Sequence, residues 1–231
     1  MTDGAPGVQT PRALVLDVDG TLLDTVYLHV MAWWEAFRDA GHRVSCVDVH
    51  RAIGLPSADL VAALLGGPDE AVVAGHDERW KPLRERCDPF HRVPDLLRLV
   101  ASRGVRVVYC TSGSPEDVAD FREKIGVDDV VAAAVGTDEV ERGKPAPDIV
   151  QLALREVGVA PRDAVMVGDT TYDVRAARAA GVACIGLLCG GIGERELQDA
   201  GAAAVYANPS HLLQELERSP VGRLLDSVQK A

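Results

Sequence analysis

Five short runs of Val, Ile, Ala and Leu recur along this chain, at Ala13–Leu16, Val105–Cys110, Val130–Val135, Ala164–Val167 and Val182–Gly186, with helical patterns between them. Apart from Arg106, the runs are continuously apolar and do not alternate, as expected of strands covered on both faces. Strands of this kind separated by helices imply βαβ units and a parallel, doubly wound sheet. The helices carry their own punctuation. Pro115–Ile125 is opened by Ser114 at the N-cap, Pro115 at the first helical position and the acids Glu116 and Asp117 in the first turn. Pro147–Val157 stops at Gly158 and Asp173–Ala180 at Gly181, both C-cap signals. A sixth, shorter strand is expected at Ala203–Tyr206, before a closing helix at Pro209–Arg218.

Between the first and second runs the alternation fails. From Thr25 to Arg92 the pattern is helical: Tyr27–Ala40 ending at Gly41, Ser57–Leu65 ending at Gly66, and Pro68–Arg86. That is far more chain than a simple crossover needs, so a helical domain inserted into the α/β core is expected. The core would then comprise residues 12–24 and 93–231, the insertion residues 25–92, and residues 1–11 a loose tail. The insertion leaves from the C-terminal end of the first strand, where open α/β sheets bind ligands, so it would act as a lid.

Composition narrows the partners. With 231 residues, 47% of them hydrophobic, the chain has ample material for a core. A net charge of −11 argues against nucleic acid and against an anionic membrane surface. Handling an anionic substrate would require a local positive spot: a metal ion, a lysine or a helix N-terminus. The five cysteines are scattered without a C-x-x-C pair, which reads as ordinary buried thiols in a reducing cytoplasm. No stretch approaches the roughly 18 apolar residues of a membrane span, and Met1–Pro11 lacks the features of a signal peptide. A monomer or homodimer is expected.

The segment Leu14-Val15-Leu16-Asp17-Val18-Asp19-Gly20-Thr21 carries the chemistry. Two carboxylates two residues apart at a strand end point to the same side. Such a pair is costly unless a cation neutralises it or one member holds a proton. Either solution is useful: an ionised carboxylate on a metal can act as nucleophile, and its neighbour can shuttle a proton.

Asp17-Val18-Asp19-Gly20-Thr21 resembles the first motif of the haloacid dehalogenase superfamily, in the branch with a helical cap after strand 1. Three further segments resemble its other motifs in order. Tyr109-Cys110-Thr111-Ser112-Gly113 closes an apolar strand with hydroxyls beside a helix N-terminus, an anion site. Gly143-Lys144-Pro145-Ala146-Pro147-Asp148 presents a lysine before a proline-rigidified turn. Val167-Gly168-Asp169-Thr170-Thr171-Tyr172-Asp173 places one carboxylate at a strand tip and another in the first helical turn, hard oxygens that suit Mg²⁺.

The resemblance implies a Rossmann-like α/β core with an inserted all-α cap, and a phosphatase acting on a small phosphorylated metabolite. Asp17 would be the nucleophile that forms an aspartyl-phosphate, and Asp19 the general acid and then base. Mg²⁺ would be held by Asp17, the Asp19 backbone carbonyl and Asp169, with Asp173 either a ligand, a supporting residue or simply a helix N-terminal acid. Thr111, Ser112 and Lys144 would hold the phosphoryl group, with Gly20, His29 and Gly54 completing the substrate site.

His29-Val30-Met31-Ala32-Trp33 resembles the H-x-x-A-W of the phosphoglycolate phosphatase and β-phosphoglucomutase-like group, where the histidine positions the acid/base aspartate; equally, Trp33 is a lid core residue and His29 a polar helix residue. A sugar phosphomutase is the alternative, but it must hold a second phosphate, and Ile53-Gly54-Leu55-Pro56-Ser57 lacks the arginine that sugar-phosphate mutases carry after the glycine. Arg51, Arg79, Lys81 and Arg84 are the lid cations available. Asp19 disfavours dehalogenation, and the setting of Lys81 between Trp80 and Pro82 lacks the pattern of phosphonate hydrolases. A non-catalytic phosphometabolite-binding protein would have lost a catalytic residue, and none is missing.

Overall fold

A computed structural model describes residues 10–226. The tail expected at residues 1–11 falls, over residues 1–9, outside the described residues. Six parallel strands lie in one sheet: β1 (Arg12–Leu16), β2 (Val105–Cys110), β3 (Val131–Val135), β4 (Ala164–Gly168), β5 (Ala183–Leu187) and β6 (Ala204–Tyr206), in the order β3-β2-β1-β4-β5-β6. The expected strands are all present, displaced at their ends by no more than a residue. β1 is central, with Leu16 opposite Tyr109 on one side and Val167 on the other. The chain runs outward from β1 to β3, then returns and runs outward on the other side, so the direction of winding reverses at β1. In open α/β sheets that reversal opens a crevice at the carboxyl ends of the strands.

Both sheet faces are covered, which explains the unbroken apolar runs. One face packs against α5 (Val93–Ser102), α6 (Pro115–Ile125), α10 (Pro209–Gln214) and α11 (Gly222–Asp226), through Leu96, Leu97, Phe121, Leu212 and Leu224. The other packs against α7 (Asp148–Glu156), α8 (Thr171–Ala179) and α9 (Glu194–Ala200), through Ile149, Val150, Val174 and Leu197. Helix ends follow the caps read from sequence, with shifts that have local causes. The helix expected from Asp173 starts at Thr171, because the Thr170 hydroxyl accepts from the Asp173 N–H and fixes the N-cap there. The closing helix of Pro209–Arg218 breaks after Gln214 and resumes as a short 3₁₀ turn at Leu216–Arg218.

Residues between β1 and α5 form α1 (Val26–Asp39), α2 (Cys46–Ala52), α3 (Ser57–Leu65) and α4 (Glu70–Arg84). They share a core of their own around Val30, Trp33, Phe37, Val49, Leu60 and Val72. The helix expected at Pro68–Arg86 starts at Glu70, because the Asp69 side chain accepts from the Ala71 and Val72 N–H groups and fixes the N-cap there. The short helix α2 carries too few turns to show a hydrophobic period, yet Ser45 caps it by accepting from the Asp48 N–H. All five cysteines are free thiols; Cys87, Cys110 and Cys184 are buried as expected, but Cys46 opens the surface helix α2 and is exposed, and Cys189 is half-buried. Among the described residues no helix is long and apolar enough to cross a membrane.

Candidate active site

The four motifs converge at the carboxyl edge of the sheet. Asp17 follows β1 directly, and its N–H extends the pairing with β4 by donating to the Val167 carbonyl at 2.9 Å. Asp169 follows β4, and Asp173 is held on the first turn of α8 by a capping box in which its Oδ2 accepts from the Thr170 N–H and hydroxyl at 3.0 and 2.6 Å. Carboxylate oxygens of Asp17, Asp169 and Asp173 all lie within 4.8 Å of one another, and all three residues are buried. Lys144 reaches into this cluster from the loop before α7, only 1% exposed. Its ammonium donates to Asp17 Oδ1 and to the Cys110 carbonyl at 2.9 Å, and pairs with Asp173 Oδ1 at 2.8 Å.

Three negative charges against one positive leave a deficit. Burial, reinforced by Asp173 and Asp19 and partly offset by Lys144, pushes the Asp17 carboxyl up to about 7. Burial and the neighbouring Asp17 and Asp173 carboxylates raise Asp169 well above the ordinary range. Burial opposes the Lys144 charge, but Asp17 and Asp173 outweigh it and hold the amine protonated.

Asp19 stands across the opening, and its two oxygens are held from opposite sides. Oδ1 accepts from the Thr25 hydroxyl at 2.8 Å and meets His29 Nε2 at 3.3 Å; Oδ2 accepts from the Thr111 hydroxyl at 3.5 Å. His29 Nδ1 shares a hydrogen bond of 3.1 Å with His76 Nε2, and His76 Nδ1 lies 3.0 Å from Asp77 Oδ1. Trp80 stacks on His29 with ring centroids 3.7 Å apart, and Trp33 stacks on His76 at 3.9 Å. Burial holds His76 below the ordinary histidine range. Trp33 is 3% exposed within the apolar core shared by α1–α4, and His29 lies beside Asp19.

Asp17 and Asp19 open into a cavity of about 690 Å³ between the sheet edge and the helical insertion. Ser112, Gly113 and Thr170 line it from the core side; Gly54, Leu55, Pro56, Ser57, Trp80 and Lys81 line it from the other. Ser112 donates its hydroxyl to the Gly54 carbonyl at 3.2 Å, and Thr111 accepts from the Gly113 N–H at 3.0 Å, tying the loop after β2 to the insertion. Gly20 has φ +75°, and its N–H donates to the Leu23 carbonyl in the turn after Asp19.

Residues 11–181 match the haloacid dehalogenase-like hydrolases. The chain belongs to this family. The phosphoglycolate phosphatase of Pseudomonas putida is 29% identical to it over 78% of this chain and 70% of its own. Fructose-1-phosphate phosphatase YqaB of Escherichia coli is 32% identical over 73% of this chain and 92% of its own. The crystal structure of a hydrolase from Pseudomonas syringae superposes with a TM-score of 0.84, at 27% identity, over 90% of this chain and 98% of that one.

For a dehalogenase-like hydrolase the carboxylate cluster raises the question of a metal, and its atoms fit one. Among the described residues Asp169 Oδ2 is buried without a hydrogen-bond partner, while Oδ1 accepts from the Thr21 hydroxyl at 3.0 Å. Among the same residues Asp173 Oδ1 has no partner beyond its ion pair with Lys144. A buried carboxylate oxygen left unpaired is costly, and hard oxygens in this number suit a divalent cation of the Mg²⁺ type. Gly190 makes the pocket for Asp169: a Cβ there would lie 1.7 Å from Oδ2.

The insertion's cations are mostly committed. Arg79 pairs with Asp39 and Glu35, and Arg51 with Glu196 at 3.7 Å; neither lines the cavity. Arg84 lines it but is held by Asp117 at 2.9 Å and Asp120 at 2.6 Å. Lys81 lines it and is exposed.

Four groups with evident places here had no role in the sequence reading: Thr21, Thr25, His76 and Gly190. Thr21 and Thr25 lie in and just after the first motif, and only the fold turns their hydroxyls onto Asp169 and Asp19. His76 lies 47 residues from His29, with no local pattern to pair them.

Proposed function

We propose that this chain is a Mg²⁺-dependent phosphatase of small phosphomonoesters that carries the phosphoryl group on Asp17, with residues 25–92 acting as a lid. The observation that carries the reading is the set of Asp17, Asp169 and Asp173 around the buried Lys144, at the mouth of a cavity that also holds Asp19. Three carboxylates with one lysine make a poor structural core and a good seat for a cation and a phosphate.

Asp17 attacks phosphorus, and the bond to the leaving oxygen breaks. Asp19 gives that oxygen a proton, and then takes one from the water that splits the acyl phosphate. Thr25 and His29 at Oδ1 and Thr111 at Oδ2 fix the Asp19 carboxyl for both transfers, so little reorganisation is needed at the moment of reaction. Lys144 and the Ser112 N–H take the phosphoryl oxygens, while Thr111, expected beside them, directs its one hydroxyl proton to Asp19 Oδ2. Asp173, with one oxygen spent on the α8 cap and the other on Lys144, acts by holding that lysine. Mg²⁺, when bound by Asp17, the Asp19 carbonyl and Asp169, supplies the positive charge that lets a carboxylate approach a phosphate. Pro56, Leu55 and the Trp80 ring shape the side that receives the leaving group.

The phosphatase names of the two relatives support hydrolysis over a mutase, as does the commitment of Arg84 to Asp117 and Asp120. Free thiols throughout fit a reducing cytoplasm. The test is phosphate release from para-nitrophenyl phosphate. Wild type should require Mg²⁺ and lose activity in EDTA, and Asp17→Asn should abolish it. Retained turnover in that variant would overturn the proposal.

A further inference from the structure

We infer that Asp117 is a positioning residue for the reaction, joining the loop that receives the phosphate to the lid that orients Asp19. The inference rests on the phosphatase reading above. Asp117 is the third residue of α6, and half of its role is local: Oδ2 accepts from the Ser114 N–H at 3.0 Å and from the Ser114 hydroxyl at 2.7 Å, closing a capping box. A helix cap needs only that oxygen. Oδ1 faces the other way, across the domain boundary, and accepts from Trp80 Nε1 at 2.8 Å and Arg84 Nη1 at 2.9 Å, both on α4. The residue is 9% exposed. Burial opposes its charge, but the donors from Arg84, Ser114 and Trp80 outweigh burial and hold the carboxyl below the ordinary range.

What the two oxygens hold leads back to one place. On the lid side, Trp80 stacks on His29, whose Nε2 meets Asp19 Oδ1. On the core side, Ser114 ends the loop that starts at Thr111, whose hydroxyl meets Asp19 Oδ2. The two supports of the Asp19 carboxylate therefore belong to different parts of the molecule, and Asp117 fastens one to the other. Arg84 is not the critical partner, because Asp120 holds it as well. The Trp80 N–H is: it donates to Asp117, and its ring stacks on His29.

A double-mutant cycle tests this on the full-length protein with Mg²⁺ and para-nitrophenyl phosphate. Asp117→Asn keeps one acceptor oxygen, which can serve Ser114 or Trp80 but not both. Its kcat should fall about tenfold with KM changed less, the signature of a misplaced catalytic carboxylate. Trp80→Phe keeps the ring but removes the donor, and should also lower kcat, by about threefold. If the two act through one contact, the double variant should match Asp117→Asn and not the product of the single effects. Asp120→Asn, which leaves the Trp80 contact intact, should stay within about twofold of wild type. Independent, multiplicative effects on kcat, or a folded Trp80→Phe with wild-type kcat, would overturn the inference even if Asp117→Asn failed to fold. Inactivity of wild type itself toward all phosphomonoesters would instead overturn the phosphatase reading, and this inference with it.

Discussion

Replacing Asp169 by Asn should make the metal-free protein more stable while removing its activity. The carboxylate is 1% exposed and its Oδ2 has no hydrogen-bond partner among the described residues. Oxygens of Asp17 and Asp173 lie within 4.8 Å, and two charges at that separation repel by about 3.5 kcal/mol at an effective dielectric of 20. Lys144 offsets part of this, and a carboxyl can always escape by taking a proton, which at pH 7 limits the cost to about 4 kcal/mol. Asparagine keeps the acceptor that Thr21 uses and places an amide N–H among the remaining carboxylates. A gain of about 2 kcal/mol follows, or roughly 4–8 °C in melting temperature for a chain of this size. Urea and thermal unfolding in EDTA read it directly. Adding Mg²⁺ should raise the wild-type midpoint, because a ligand that binds only the folded state stabilises it, and should leave the variant nearly unmoved. A variant less stable than wild type in EDTA would refute the reasoning, since the cluster would then be a satisfied core network and not a site built for a cation.

Gly190→Ala should lower phosphate release by about a hundredfold with the fold intact, because its Cβ would lie 1.7 Å from Asp169 Oδ2 and push that carboxylate aside; circular dichroism and the aryl phosphate assay together check it. The pH dependence of stability should carry the mark of Asp117. A carboxyl whose folded pKa lies below its unfolded value contributes stability that is full above the unfolded value and is lost as pH falls through the folded one. The stability difference between wild type and Asp117→Asn, from urea midpoints, should therefore be flat above about pH 5 and shrink below about pH 4.

Much of this molecule is legible in its sequence because its signals are local. A short, mostly apolar run between helical patterns specifies a buried parallel strand, and Ser114-Pro115-Glu116-Asp117 specifies a helix start to the residue. The motif residues are brought together by topology: Asp17 and Asp169 follow β1 and β4, Asp173 lies on the first turn of the helix after β4, and Lys144 lies in the loop before α7, all at one edge of the sheet. What escaped depends on contacts between distant segments. The second oxygen of Asp117 has a partner only once α4 lies against α6. His76 looks like a polar residue of an amphipathic helix until Trp33 and His29 close around it. Short helices such as α2, α9 and α11 have too few turns to announce a period.

The central claim is that Asp17 carries the phosphoryl group, and trapping that group tests it most directly. Asp19→Asn should still be phosphorylated by an aryl phosphate, whose leaving group needs little acid assistance, but should lack the base that activates water. Mass spectrometry after an acid quench should find one phosphoryl group, labile to hydroxylamine, on the peptide bearing Asp17. Phosphate released without any such adduct, or an adduct on another residue, would contradict the account.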